Sequence, residues 1–149
     1  MSKIQDTEVK WGILGVGNVC EVKSAPAMNL IPNSKIVAVM RRSEEKVKDY
    51  AKRHGVAKWY TSALELINDP EVNAIYIATP PNAHLELAKL AAAAGKPVYV
   101  EKPMARTHQE CLELIEVCKQ ANVPLYIAYY RRELPHFLKI KELMNAGVL

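Results

Sequence analysis

The sequence predicts an α/β fold: a doubly wound parallel sheet of about six strands with helices on both faces. Two observations carry this expectation. Strand-like and helix-like segments alternate along the whole 149-residue chain. The strand candidates are continuously apolar rather than alternating, the pattern of strands covered on both faces. Right-handed crossovers between such strands place the helices in two layers.

The elements follow in order. Residues 9–14 are apolar and end at glycine, a first strand. Residues 18–30 read as a helix that Pro26 kinks or breaks. The β-branched run 35–40 is a buried strand. Ser43 caps a charged amphipathic helix that runs to His54 and stops at Gly55. Residues 58–60 form a short strand, and Ser62 caps a short helix through Ile67. Residues 74–78 (Ala-Ile-Tyr-Ile-Ala) are a further buried strand ended by Thr79-Pro80-Pro81. Asn82 is expected to cap the next helix, whose alanines at 91–94 suit close packing and which Gly95 ends. Residues 97–100 are a strand. Thr107, with Glu110 three residues on, forms a capping box for a helix to Gln120. Residues 124–129 are a sixth strand, and 134–145 a last helix with Gly147 as its stop. No repeat or low-complexity tract interrupts the series.

Composition excludes several classes. Half the residues are hydrophobic and 24% are charged, as in a globular domain of ordinary core size. The net charge of +4 is mild and spread over mixed Lys/Glu helices, with no basic stripe or motif for nucleic acid. No apolar run approaches the roughly 18 residues that a bilayer demands. The polar start, Met1 to Lys10, has no signal-peptide core, so a cytoplasmic location is the default expectation. Cys20, Cys111 and Cys118 form no Cys-x-x-Cys pair and read as small core residues rather than disulfides or ligands. No His/Glu/Asp cluster has metal-ligand spacing.

Chemistry gathers at the strand ends. Gly15-Val16-Gly17-Asn18-Val19-Cys20 follows a strand and opens a helix, the context of the dinucleotide fingerprint. Gly15 permits the tight turn, and Gly17 admits a pyrophosphate close to the backbone. The helix start supplies N–H groups and dipole. Cys20 stands where the fingerprint has Gly or Ala, and is small enough to serve. A tight connection with no ligand is the plainer alternative. After the second strand, where NAD-binding chains carry a carboxylate, this one has Arg41-Arg42-Ser43. Two guanidiniums and a hydroxyl suit a 2′-phosphate, so NADP is expected ahead of NAD. Glu44 and Glu45 are rival ribose ligands, and solvated arginines the bland alternative.

Ala78-Thr79-Pro80-Pro81-Asn82-Ala83-His84 and Val100-Glu101-Lys102-Pro103-Met104-Ala105 complete the set, with Tyr129-Tyr130-Arg131-Arg132 beyond. With the glycine turn, these motifs resemble the N-terminal half of the Gfo/Idh/MocA oxidoreductases, the glucose–fructose oxidoreductase and inositol dehydrogenase family. The resemblance covers essentially the whole chain. It implies a Rossmann domain, taken as residues 1–128, with 129–149 leading toward a C-terminal α/β domain that this chain lacks. It implies NAD(P)-dependent dehydrogenation of sugars or polyols and a homo-oligomer for the full-length protein. Lys102 is then the lysine beside the reacting hydroxyl, and Thr79 to Pro81 lie along the nicotinamide half. The family's catalytic histidine and aspartate have no counterpart here, so the fragment is expected to bind cofactor and turn over little.

The expected nucleotide-binding residues are therefore Gly15, Gly17, Asn18, Val19, Arg41, Arg42, Ser43, Thr79, Pro80, His84 and Glu101. His84 has two readings, contact with cofactor or substrate and support of the helix start. Lys102 is the expected catalytic residue, and no metal is expected. An ammonium stabilises a developing alkoxide, or relays its proton; Glu101 is placed to hold it. A surface Glu–Lys pair is the bland alternative. A non-catalytic dinucleotide sensor is the rival function, and it has no need of Lys102. A methyltransferase also uses a glycine turn, but wants a carboxylate where Arg41 stands.

Overall fold

The computed structural model describes residues 8–148; the polar start at residues 1–7 and Leu149 lie outside the described residues. Six parallel strands form one sheet in the order β3-β2-β1-β4-β5-β6. They are β1 (Val9–Leu14), β2 (Ser34–Met40), β3 (Lys58–Tyr60), β4 (Ala74–Ile77), β5 (Val98–Glu101) and β6 (Leu125–Ala128). The order reverses between β1 and β4, the switch point where doubly wound sheets bind ligands.

Among the described residues seven α-helices accompany the sheet, six between strands and the last after β6. These are α1 (Asn18–Val22), α2 (Ser24–Leu30), α3 (Glu44–His54), α4 (Ala63–Ile67), α5 (His84–Ala93), α6 (His108–Gln120) and α7 (Pro135–Asn145). Two apolar layers sandwich the sheet. On one side Leu14, Ile75, Ile77, Val98 and Val100 pack with Leu66 of α4, Ala88 and Ala91 of α5, and Leu114 and Cys118 of α6. On the other, Ile13, Val39 and Tyr76 pack with Cys20, Ala25, Met28, Val47 and Tyr50. Each fully buried Leu, Ile or Val side chain stabilises by ~1.5–3 kcal/mol. The α4 layer presses close on β1: a Cβ on Gly12 would stand 2.5 Å from Leu66 Cδ2 and 2.8 Å from Val72 Cγ1.

Local chemistry differs from the sequence expectation at four helix starts or breaks. The segment 18–30 breaks at Lys23 (φ −130°, ψ −76°), not at Pro26, which sits harmlessly in the first turn of α2. Asn82 does not cap α5; Pro81–Ala83 form a 3-10 turn, and α5 starts at His84 with no side-chain cap. Ser62 stands at the N-cap of α4 without a capping bond. At α6 the Thr107 hydroxyl accepts from Glu110 N at 3.1 Å, but the Glu110 carboxylate turns to Arg106, accepting from its backbone N at 3.0 Å. Of the alanines 91–94, only Ala91 and Ala92 are buried. Ser43 caps α3 as expected, accepting from Lys46 N at 3.4 Å.

The three cysteines are free. No helix of the described residues is long and apolar enough to cross a membrane.

Candidate nucleotide site

The glycine turn is pinned to the neighbouring strand tip. Gly15 N and Val16 N both donate to Met40 O, at 2.9 and 3.2 Å. Gly15 sits at φ +91°, a region that side chains disfavour. A Cβ there would stand 2.6 Å from Thr79 Cγ2 and 2.9 Å from Thr79 N. Glycine at 15 thus lets the ends of β1 and β4 touch. A Cβ on Gly17 would meet nothing closer than Gly15 O at 3.9 Å and would project into the open cradle that a pyrophosphate needs. Gly17 is the N-cap of α1 and makes no side-chain capping bond. The first N–H groups of a helix have no intrahelical partner. Because α1 spans only five residues, its dipole is small, and those N–H groups are the larger part of the cradle. Cys20 is fully buried beneath the turn, and burial pushes its thiol up to about 11. It packs with Val16 and Ala25.

One cleft of about 770 Å³ gathers Gly15, Gly17, Asn18, Val19, Arg41, Arg42, Ser43, Thr79 and Pro80. That size suits a bound cofactor. Nine of the expected residues therefore share one wall. Lys46, Asn82, Ala83 and Leu87 line it too, and the sequence reading missed them as site residues. Lys46 had a local signal: in the first turn of a capped helix, side chains lean back toward the N-terminus.

The lining carries three cations, Arg41, Arg42 and Lys46, and no carboxylate. Arg41 Nη1 donates to Val16 O at 3.2 Å and so bridges the β2 tip to the glycine turn. Neither the Arg42 guanidinium nor the Lys46 ammonium has an ion pair among the described residues. Of the rival ribose ligands, Glu44 is engaged with Lys48 at 2.6 Å, and neither it nor Glu45 lines the cleft.

His84 and Glu101 do not reach the cleft, contrary to expectation. The His84 ring is fully buried. Its Nε2 lies 2.8 Å from Thr79 O, and its Nδ1 lies 3.1 Å from Pro103 O and 3.2 Å from Met104 O. It braces the Thr79 turn against the segment after Lys102. Glu101 does not hold the Lys102 ammonium: the described residues show no ion pair between them. Its Oε1 accepts from the Tyr76 hydroxyl at 2.6 Å, and its Oε2 from Lys102 N at 3.1 Å. Lys102 is exposed at the end of β5, outside the cleft lining. β5 lies two strands from β1, so the two tips are roughly 10 Å apart, a distance one dinucleotide spans.

Thr79 supplies a test of fit. Its Oγ1 is buried with no hydrogen-bond partner among the described residues. Buried polar groups rarely go unpaired, and a polar group of a nucleotide lying along the turn would pair it. With the open cradle at Gly17 and the three cations, the residues present fit a phosphate-bearing dinucleotide. Tyr129–Arg132 lie elsewhere: Tyr129, Tyr130 and Arg132 border a separate aromatic hollow of about 470 Å³ with Trp11, Tyr99 and Tyr126. Among the described residues no group of three His, Cys, Asp or Glu is arranged to hold a metal.

The pattern of the oxidoreductase family with an NAD-binding Rossmann fold, Gfo/Idh/MocA, matches residues 9–129. The chain belongs to this family. Its relatives match it along nearly the whole chain. It is 53% identical over 144 residues to an oxidoreductase of Formosa agariphila, covering 97% of this chain and 45% of that one. It is 30% identical over 138 residues to the myo-inositol 2-dehydrogenase of Thermotoga maritima, covering 93% of this chain and 41% of that protein. The solved structure of a probable dehydrogenase from Thermotoga maritima superposes with a TM-score of 0.84 at 30% identity, over 94% of this chain and 42% of its own. The chain thus spans less than half the length of these Gfo/Idh/MocA relatives.

Proposed function

We propose that the chain is the cofactor-binding part of an NADP-dependent dehydrogenase acting on a hydroxyl-bearing carbon of a sugar or polyol. The observation that carries the cofactor choice is the cleft wall with Arg41, Arg42 and Lys46 and no carboxylate. Three cations attract a 2′-phosphate that an acidic residue would repel. The Ser43 hydroxyl still has a proton to donate, because its oxygen accepts from Lys46 N. The substrate class rests on relatives such as the myo-inositol 2-dehydrogenase and a D-xylose dehydrogenase of Paenarthrobacter nicotinovorans, 35% identical over 71% of this chain.

The nicotinamide, when bound, supplies the hydride acceptor or donor. This chain's residues hold the cofactor and place one charge beside it. Gly15 and Gly17 admit the pyrophosphate, and Arg41 fixes the turn against β2. Thr79 and Pro80 line the stretch toward β5. Lys102 places a positive charge where a substrate hydroxyl becomes an alkoxide, stabilising charge that exists only as the C–H bond breaks.

Fluorescence titration with NADPH and NADH tests the reading. NADPH binding at least tenfold tighter than NADH supports it. Equal or tighter NADH binding overturns the choice of NADP.

A further inference from the structure

A hydrogen-bond chain runs from Ser24, at the start of α2, through the buried ring of Tyr76 to the exposed backbone of the lysine tip. Val19 lines the cleft on α1. The Ser24 hydroxyl stands 3.3 Å from Val19 O and 3.0 Å from Tyr76 Oη, and its single proton serves one of them at a time. Tyr76 is fully buried in the middle of the sheet, yet its hydroxyl donates to Glu101 Oε1 at 2.6 Å. Glu101 Oε2 accepts from Lys102 N at 3.1 Å. Burial, and then the neighbouring Glu101 carboxylate, push the Tyr76 phenol upward, so it stays a donor. The packing does not require a hydroxyl here: the ring lies among Ile13, Val39 and Tyr99, where phenylalanine would fill the same space.

We propose that Tyr76 is a positioning residue: its hydroxyl fixes the Glu101 carboxylate, which fixes the backbone of Lys102, and Ser24 at the start of α2 steadies the phenol when its proton is turned to Tyr76 Oη. The proposal rests on the dehydrogenase reading only for its consequence in turnover; the geometric claim stands on the contacts themselves. Charge-assisted bonds to a carboxylate in a low-dielectric interior are the strong ones. Small misplacements of a reacting group cost rate far more than binding.

Tyr76→Phe removes one oxygen and keeps the ring. In this chain, the measurement is amide hydrogen exchange at Lys102. It is expected to quicken about three- to tenfold, the weakening of one hydrogen bond, while the amides of Ile77 and Val100 and the melting temperature stay put. In the full-length protein, assayed with NADP+ and a panel of polyols and aldoses, kcat is expected to fall about tenfold or more. The KM for NADP+ is expected to stay within about twofold. Ser24→Ala is expected to show the same pattern, more weakly. Unchanged exchange at Lys102 in Tyr76→Phe overturns the proposal, whatever the enzyme does. Quickened exchange in a full-length protein that oxidises none of the panel leaves the positioning chain standing and removes the dehydrogenase reading instead.

Discussion

Gly15 and Thr79 touch so closely that the first atom of any side chain at position 15 would lie 2.6 Å from the threonine methyl. This contact joins the ends of β1 and β4 across the switch point, and the cleft opens beside it.

Gly15→Ala is therefore expected to do double damage. The φ of +91° strains any residue with a Cβ, at a cost of about 1–3 kcal/mol, and the methyl drives the Thr79 turn away. Denaturant melts and NADPH titration should show lower stability together with at least tenfold weaker binding. Gly12→Ala, which instead strikes Leu66 and Val72 in the core, should lower stability by about 1–3 kcal/mol and leave NADPH affinity nearly intact in the molecules that stay folded.

The cation wall makes a separate forecast. Arg42→Ala and Lys46→Ala should each weaken NADPH binding about tenfold, the loss of one charge-assisted bond. NADH binding should change by no more than about threefold. Arg41→Ala should weaken both cofactors, because Arg41 also ties β2 to the glycine turn through Val16 O. Isothermal titration with the two nucleotides separates these cases.

Much of this was legible in the sequence, and the misses share a cause. Strands β2, β4 and β5 stand out as short apolar runs, whereas β3, Lys58–Tyr60, is legible only from its place between two helices. The three strand-end motifs are local strings, so they could be read directly. Asn82 reads as a cap because only local capping chemistry is visible along the chain, whereas α5 starts without one; of the two readings of His84, the structure places its ring against backbone carbonyls and not in the cleft. Two of the three carbonyls around the His84 ring, Pro103 O and Met104 O, lie 19 and 20 residues away, and only Thr79 O is near in sequence. Glu101 was paired with its neighbour Lys102 for the same reason, whereas its partner hydroxyl lies on another strand at Tyr76. Pro26 drew the helix break to itself, although proline is tolerated in a first turn. A Ser24 hydroxyl turned back to Val19 O marks the true junction.

An acid-sensitive clasp ties the glycine-turn helix to α3. Arg53 binds Glu21 at 2.7 and 3.0 Å, and His54 Nε2 lies 2.7 Å from the same carboxylate. Arg53, ahead of His54, holds the Glu21 carboxyl down at about 2, against the usual 4.5. A depressed folded-state value contributes stability above the unfolded value and loses it as pH falls. Glu21→Gln should melt a few degrees lower at neutral pH. That gap should persist down to pH 4.5 and close as pH drops toward 2. A gap that is unchanged at pH 2.5 contradicts the assignment.

Lys102→Met in the full-length protein removes the ammonium and keeps the chain length. The expected result is NADPH affinity within about threefold of the parent and kcat reduced about 10²-fold or more, the scale of losing one electrostatic contributor to a transition state. Turnover close to the parent's would take Lys102 out of the chemistry.

In the proposed complex the glycine turn, the Thr79 turn and the Lys102 tip surround one nucleotide. The most direct measurement is a ¹⁵N–¹H NMR titration of this chain with NADPH. The expected result is saturable shifts at Gly15, Gly17, Arg42 and Thr79 with a single Kd, and a nuclear Overhauser contact between the nicotinamide ring and Lys102. Shifts confined elsewhere, or a bound nicotinamide with no contact to Lys102, would contradict it.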